Sequence, residues 1–247
     1  MYPFVSTGTS PIRCSTRQRV KTFNEGTNGG AIMDGNEVWK EIRSIHKTHT
    51  DEIDRRLCAF REVWVRHDEG EFLRELFFCL LTPQSNARRC WETIERLSGD
   101  GLLERGCEDE LAPCLHAARF KNKKASYICR ARERFTRGER LVDVLDMFPS
   151  AHAARMWLVK NIDGMGCKEA SHFLRNVGWG ADIAILDRHL LGTLADAGVI
   201  NEVPKSMSIA GYCRIEEQMR RFSYQIGIPM DHLDMAIWYR KKGEFFK

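Results

Sequence analysis

From Glu37 onward apolar residues recur three and four positions apart, the period of one helix face, which restricts the chain to helices packed on helices. Phe72, Leu73, Leu76, Phe77, Leu80 and Leu81 form one such stripe. Ala125, Ile128, Cys129 and Phe135 form a second, interrupted by Arg132, and Ile209, Tyr212, Cys213, Met219, Phe222 and Ile226 form a third. Strict alternation is scarcely found, and the best strand candidate is the short apolar run Ile183–Leu186. Pro83, Gly99, Gly101, Pro113, Pro149, Gly164, Gly166 and Pro229 fall between the helical stretches. The expected fold is all-α, about ten helices with short connections and no repeat of fixed period.

With 247 residues the chain can build one large domain or two lobes with a proper core. A hydrophobic fraction of 43% and a charged fraction of 29% suit a soluble globular protein, and no apolar run approaches the ~20 residues that span a bilayer. The net charge of +4 is unevenly placed: residues 1–32 hold Arg13, Arg17, Arg19 and Lys21 against Glu25 alone, so +3 of it lies there. An anionic partner must therefore be met by local patches and backbone amides of a nearly neutral body.

Residues 1–35 lack apolar periodicity and are expected to be a disordered N-terminal extension, an organelle-targeting peptide, or a stretch upstream of a start at Met33. The nine cysteines are scattered and form no CxxC pair, which excludes a familiar zinc site or disulfide framework and points to reduced thiols packed in helices.

The chemistry is concentrated in residues 151–194. A helix from Ala153 to Lys160 is stopped by Asn161-Ile162-Asp163-Gly164-Met165-Gly166, and a second runs from Cys167 to Val177, a hairpin spanning 153–177. Gly164 and Gly166 allow positive φ and a sharp turn, leaving the N–H groups and positive dipole end of the second helix to hold a phosphate. An ordinary helical corner in a core has the same pattern. Lys168 sits on the first turn of that helix, where the dipole end and any neighbouring cation favour a neutral, nucleophilic amine; a solvated surface lysine is the plainer reading. Asp187, nineteen residues later, precedes a helical stretch from Arg188 to Ala197. It suits a helix N-cap, a role compatible with a fixed carboxylate that stabilises a developing cation.

The run Ile162-Asp163-Gly164-Met165-Gly166-Cys167-Lys168, followed by Asp187, resembles the helix-hairpin-helix DNA glycosylase superfamily. The stretches 168–178 and Ile185-Leu186-Asp187-Arg188-His189 are similar to its short 8-oxoguanine glycosylase/lyase type, which lacks an iron–sulfur cluster and ends in a lysine, as this chain does at Lys247. Arg119-Phe120-Lys121-Asn122-Lys123-Lys124-Ala125 and Trp238-Tyr239-Arg240-Lys241-Lys242-Gly243 extend the likeness over most of the chain after Glu37. Only Cys213 lies beyond Asp187, so the four cysteines of a cluster are lacking there. Leu80-Leu81-Thr82-Pro83-Gln84-Ser85-Asn86 occupies the place of the superfamily's DNA-wedging residues, and its Pro83-Gln84-Ser85 core departs from the expected pattern.

The resemblance implies a two-lobed catalytic domain over 36–247, with a DNA-binding cleft between the lobes. It further implies a bifunctional enzyme of base excision repair that acts on double-stranded DNA containing oxidised guanine. Lys168 and Asp187 would be catalytic; Lys247, through its terminal carboxylate, and Trp238, through its ring, would bind the base. Gly164, Gly166, His189 and Gln84 would contact DNA. For His189 a buried ring satisfied by local hydrogen bonds is an equal reading; for Lys247 a frayed end and for Trp238 a core aromatic are the plainer ones. The backbone carbonyls of Lys160, Ile162 and Met165 would face a structural cation, with no cofactor required. A monomer inside the cell, in the cytoplasm or nucleus, is expected. Two other readings are an enzyme for another lesion or for bare abasic sites, and a non-catalytic DNA-binding module; the latter needs no Lys168–Asp187 pair.

Overall fold

The computed structural model describes residues 36–247, so the extension expected over 1–35 lies outside it. The described residues form twelve helices and no strand, which bears out the all-α expectation. The long α1 (Glu37–Arg66) is followed by α2 (Glu69–Leu81), α3 (Ala87–Gly99), α4 (Leu102–Arg105) and α5 (Glu108–Cys114). Then come α6 (Lys121–Arg137), α7 (Leu141–Asp146), α8 (Ala151–Asn161) and α9 (Cys167–Asn176). The last three are α10 (Arg188–Asp196), α11 (Ile209–Ile226) and α12 (Met230–Lys242). The expected number fell short because α4, α5 and α7 are too short for their periodicity to register.

Two large cores divide the described residues, with a smaller cluster of Ile53, Leu57, Phe60, Met235 and Phe245 besides them. Phe72, Leu76 and Leu80 of α2 pack with Ile128, Leu158 and Phe173 in the first, which ends at Ile183. The second starts at Ala184 and joins Leu190 and Leu194 of α10 to Tyr212, Met219, Phe222 and Leu233, with Trp39 and Ile42 of α1. The chain thus changes lobe between two adjacent residues, in the run expected as a strand. That run forms no ladder, because its N–H groups from Ala184 to Leu186 are taken by side chains and the Ile185 carbonyl accepts from Asp187 N–H (2.7 Å). Glu216 accepts from Ala184 N–H (2.8 Å), Asp234 from Ile185 N–H (3.1 Å), and the Tyr212 hydroxyl from Leu186 N–H (3.1 Å). Tyr212 donates back to the Ala184 carbonyl (2.6 Å).

Six of the twelve helices start where a short polar side chain satisfies a free N–H group. Asp68 caps α2 through Glu71 N–H (2.7 Å), and Ser150 caps α8 through Ala153 N–H (3.2 Å). Helix α1 bends at His49 and spans both lobes, with Trp64 at its far end packed on the first core. Gly178 (φ +83) permits the close approach of α1, since a Cβ there would lie 2.5 Å from the Arg61 Cα.

Two buried ion pairs cross the lobe boundary. Arg155 of α8 binds Glu216 of α11 in a bidentate pair (2.5 and 2.8 Å), and Arg175 of α9 meets Asp234 of α12 (3.3 Å). Removing one partner strands the other charge in a dry interior, which costs about 3–5 kcal/mol. Arg155→Met is therefore expected to lower the denaturant midpoint steeply with an unchanged slope in equilibrium unfolding, whereas the exposed Arg137–Glu133 pair should be removable with a change of about 0.5 kcal/mol or less.

Candidate active site

The cleft between the lobes, about 1110 Å³ in volume, gathers Lys168, Asp187, His189, Gln84, Trp238 and Lys247 along its walls. Gly164 and Gly166 stay behind it in the hairpin. Eight Lys and Arg residues and five carboxylates line the cleft, a local positive excess on a nearly neutral body.

The hairpin turn depends on one glycine rather than two. Gly164 has φ +80, and a Cβ there would lie 2.3 Å from the Tyr127 ring of α6. Gly166 was expected to need positive φ as well, but its φ of −95° and ψ of 178° are extended and open to other residues. It serves as the N-cap of α9 without a capping side chain, so the first N–H groups of that helix remain for an outside acceptor.

Lys168 is the second residue of α9, about a quarter exposed, with Nζ 3.7 Å from Glu169 Oε1. A carboxylate thus stands beside the amine. Asp187 caps α10, its Oδ1 accepting from both His189 N–H (2.8 Å) and Leu190 N–H (2.7 Å). Both bonds use the same oxygen, which leaves Oδ2 for the cleft. Immediately before it, the Ala184–Leu186 clamp fixes the main chain, and it reaches α9 in three ways: the Tyr212 hydroxyl meets Ser171 Oγ (3.3 Å), Arg155, the partner of Glu216, donates to the same oxygen (3.2 Å), and Arg175, the partner of Asp234, lies on α9 itself. The helix carrying Lys168 and the cap residue Asp187 are thereby tied to one polar cluster.

His189 is half-buried, its ring edge-on to Trp238 at 6.5 Å, and makes no ring hydrogen bond among the described residues. This disfavours a locally satisfied histidine. Burial, with Lys242, Arg188 and Lys241 adding to it and Asp187 opposing, pushes its imidazole below the usual pKa. Trp238 is half-buried rather than a core residue, with Lys242 Nζ 5.8 Å from its ring and its Nε1 without a partner among the described residues. Lys247 is anchored, not frayed. Its side chain pairs with Glu75 and sits 3.3 Å from the centre of the Trp91 ring.

Several cleft groups were missed from sequence. His172, one turn after Lys168 on the same face of α9, is buried beside the Lys247 main chain, yet neither ring nitrogen completes a hydrogen bond among the described residues. The i, i+4 spacing from Lys168 was its available signal. Asp234 and Arg175 also line the cleft, and burial raises the Asp234 carboxyl to about 6 despite Arg175 and the Ile185 N–H. Lys124 of α6 does not line the cleft; it is buried and pushed down to about 8 by desolvation, which Cys90 and Glu169 oppose and Lys168 reinforces.

The chain was compared with known proteins. The family description "8-oxoguanine DNA glycosylase" matches residues 53–228. The 8-oxoguanine DNA glycosylase/AP lyase of Fusobacterium nucleatum is 42% identical over 217 residues, 87% of this chain and 100% of that protein. Its namesake in Methanocaldococcus jannaschii is 38% identical, covering 80% and 92%. The structure resembles that of the M. jannaschii 8-oxoguanine glycosylase/lyase in complex with 15mer DNA containing 8-oxoguanine, with a TM-score of 0.76, 36% identity and coverage of 84% and 98%. The 8-oxoguanine DNA glycosylase of Thermotoga maritima gives a TM-score of 0.75 at 31% identity, covering 84% of this chain and 97% of that one.

His172 generates a pH prediction. Burial, then Arg175 and Lys168, hold its pKa well below 6.5, so the unfolded chain binds the extra proton first as the medium is acidified. The stability this contributes is complete above pH 6.5 and declines below it by up to about 1.4 kcal/mol per pH unit. Asp234, with its raised pKa, acts in the opposite sense below about 6, so the comparison must be between variants. The unfolding free energy of His172→Asn minus wild type, followed from pH 7.5 to 5, should shift in favour of the variant on acidification; a pH-independent difference would show that His172 does not titrate in this way.

Proposed function

The chain belongs to the 8-oxoguanine DNA glycosylase family, and from that premise we propose that it excises 8-oxoguanine from double-stranded DNA and nicks the strand through a Schiff base on Lys168. The observation that carries the reading is the placing of Lys168 and Asp187, on two elements tied to one buried cluster, along a single cleft between the lobes.

The damaged nucleotide is extruded into the cleft at a cost of a few kcal/mol. The Lys168 amine attacks C1′ as the glycosidic bond breaks, and the electron pair of that bond leaves with the base, which is then protonated. Asp187 Oδ2 stabilises the cationic sugar and relays protons from the amine. Opening of the sugar ring gives the imine. Loss of a C2′ proton then expels the 3′ phosphate by β-elimination. The uncapped N-terminus of α9 and His189 hold backbone phosphates, and Gln84 faces the duplex from the turn after α2.

For the base, 8-oxoguanine carries a hydrogen on N7 where guanine has a lone pair, so an acceptor there reads the lesion. The proposal gives that role to the main-chain carboxylate of Lys247, beside His172, and the stacking face to Trp238. The reading also gives the hairpin a structural cation on the carbonyls of Lys160, Ile162 and Met165: the last helical bond of α8 is Ile162 N–H to Leu158 O, which leaves the Lys160 carbonyl free of the helix ladder, while that of Ile162 already accepts from Met165 N–H (3.2 Å). No cofactor is assigned to the chemistry. No helix among the described residues is long and apolar enough to cross a membrane, and the proposed substrate places the protein's work inside the cell, as a monomer.

Borohydride reduction with an 8-oxoguanine duplex should yield a covalent protein–DNA adduct that is lost in Lys168→Gln. Asp187→Asn should keep its α10 cap, because the amide oxygen still accepts, yet slow base release about a hundredfold or more. Trapping on an abasic duplex alone would retain the lyase and remove the base assignment; trapping on neither would leave a binding module.

A further inference from the structure

The turn that follows α2 is held by an unusual anchor. Lys124 of α6 is only 4% exposed, and its Nζ donates to three acceptors: the Leu81 carbonyl (2.7 Å), the Pro83 carbonyl (2.8 Å) and Ser85 Oγ (3.0 Å). An ammonium has three N–H donors, and all three are spent on this turn. Ser85 is fixed twice more, its Oγ accepting from Arg119 N–H (2.9 Å) and its own N–H donating to the Thr82 carbonyl (3.0 Å). Between these anchored neighbours stands Gln84, exposed on the cleft wall with φ +56, a left-handed conformation that a glutamine adopts only when its surroundings impose it.

Packing alone does not call for a lysine here. A buried ammonium costs desolvation that an apolar side chain avoids, and burial does push this one down to about 8. Its three bonds all serve the residues on either side of Gln84. We propose that Lys124 is a positioning residue that holds the Thr82–Asn86 turn so that Gln84 is presented to the DNA duplex. The inference rests on the reading of the cleft as a site for duplex DNA. Gln84 does its work where a base has been drawn out of a paired stack, and a single strand offers no such gap. The contribution of Lys124 is therefore specific to duplex substrates.

The test compares two reactions of the full chain: single-turnover release of 8-oxoguanine from a duplex, and borohydride trapping on a single-stranded abasic oligonucleotide. The ratio of the two rates cancels any effect of the lost charge on the amine chemistry that both share. Lys124→Met should lower this ratio by about tenfold to a hundredfold, the scale of a misplacement near 1 Å. Ser85→Ala, which keeps the buried charge, should lower it in the same direction. In a double-variant cycle, Lys124→Met should add little to the duplex defect of Gln84→Ala, because both remove the same contact. An unchanged ratio in Ser85→Ala and Lys124→Met, or defects that multiply in the cycle, would overturn the proposal. Should Lys124→Met fail to fold, Ser85→Ala and its cycle with Gln84→Ala decide the matter. Absence of both reactions in the wild type would instead remove the enzymatic reading beneath it.

Discussion

Two buried arginine–carboxylate pairs, Arg155–Glu216 and Arg175–Asp234, govern the arrangement on which the rest of the site depends. Each joins a helix of the first lobe to one of the second, and each carboxylate also takes a main-chain N–H from the crossing at Ala184 and Ile185. An open sheet would have satisfied those N–H groups with a neighbouring strand. Here side chains from α11 and α12 do it, and Asp187 follows directly as the rigid cap of α10. Such pairs are costly to bury and add little net stability compared with well-packed apolar residues. Their placement accounts for their presence: they join the lobes and hold the segment that delivers Asp187.

The cluster continues along α9. Arg175 stacks on Phe60 at 5.4 Å, Asn176 donates to Glu75 (2.9 Å), and Glu75 pairs with Lys247. Polar contacts thus run from the lobe crossing to the last residue of the chain without leaving the interior. Three lysines, Lys124, Lys168 and Lys247, lie within this electrostatic neighbourhood, and their amines are engaged differently. Lys124 has the depressed pKa, but all its N–H bonds are engaged inside the protein. Lys247 is held by Glu75, whereas Lys168 has no such restraints and lines the same cleft as Asp187.

The hairpin and the pair proposed as catalytic, Lys168 and Asp187, could be picked out because their information is local. Gly164 marks the turn, Lys168 follows on the next helix, and Asp187 sits at a helix start nineteen residues on. Features set by distant partners were not legible. Glu216 meets Arg155 across 61 residues and Asp234 meets Arg175 across 59, and no periodicity reports such a match. Ile183–Leu186 has strand-like composition, and the acceptors on α11 and α12 that take three of its N–H groups explain the missing ladder. Gly166 looked equivalent to Gly164 in the sequence, yet only Gly164 lies against a ring that forbids a side chain. Lys124 appeared as one more cation in a basic stretch until its three acceptors were placed around it.

The central claim is that the amine at the start of α9, and no other, bonds to the sugar. Proteolysis of the borohydride-reduced adduct, followed by mass-spectrometric mapping of the modified peptide, tests it directly. The account predicts the sugar remnant on Lys168. A remnant on Lys124, on Lys242 or on the N-terminal amine would contradict it and relocate the chemistry to another part of the chain.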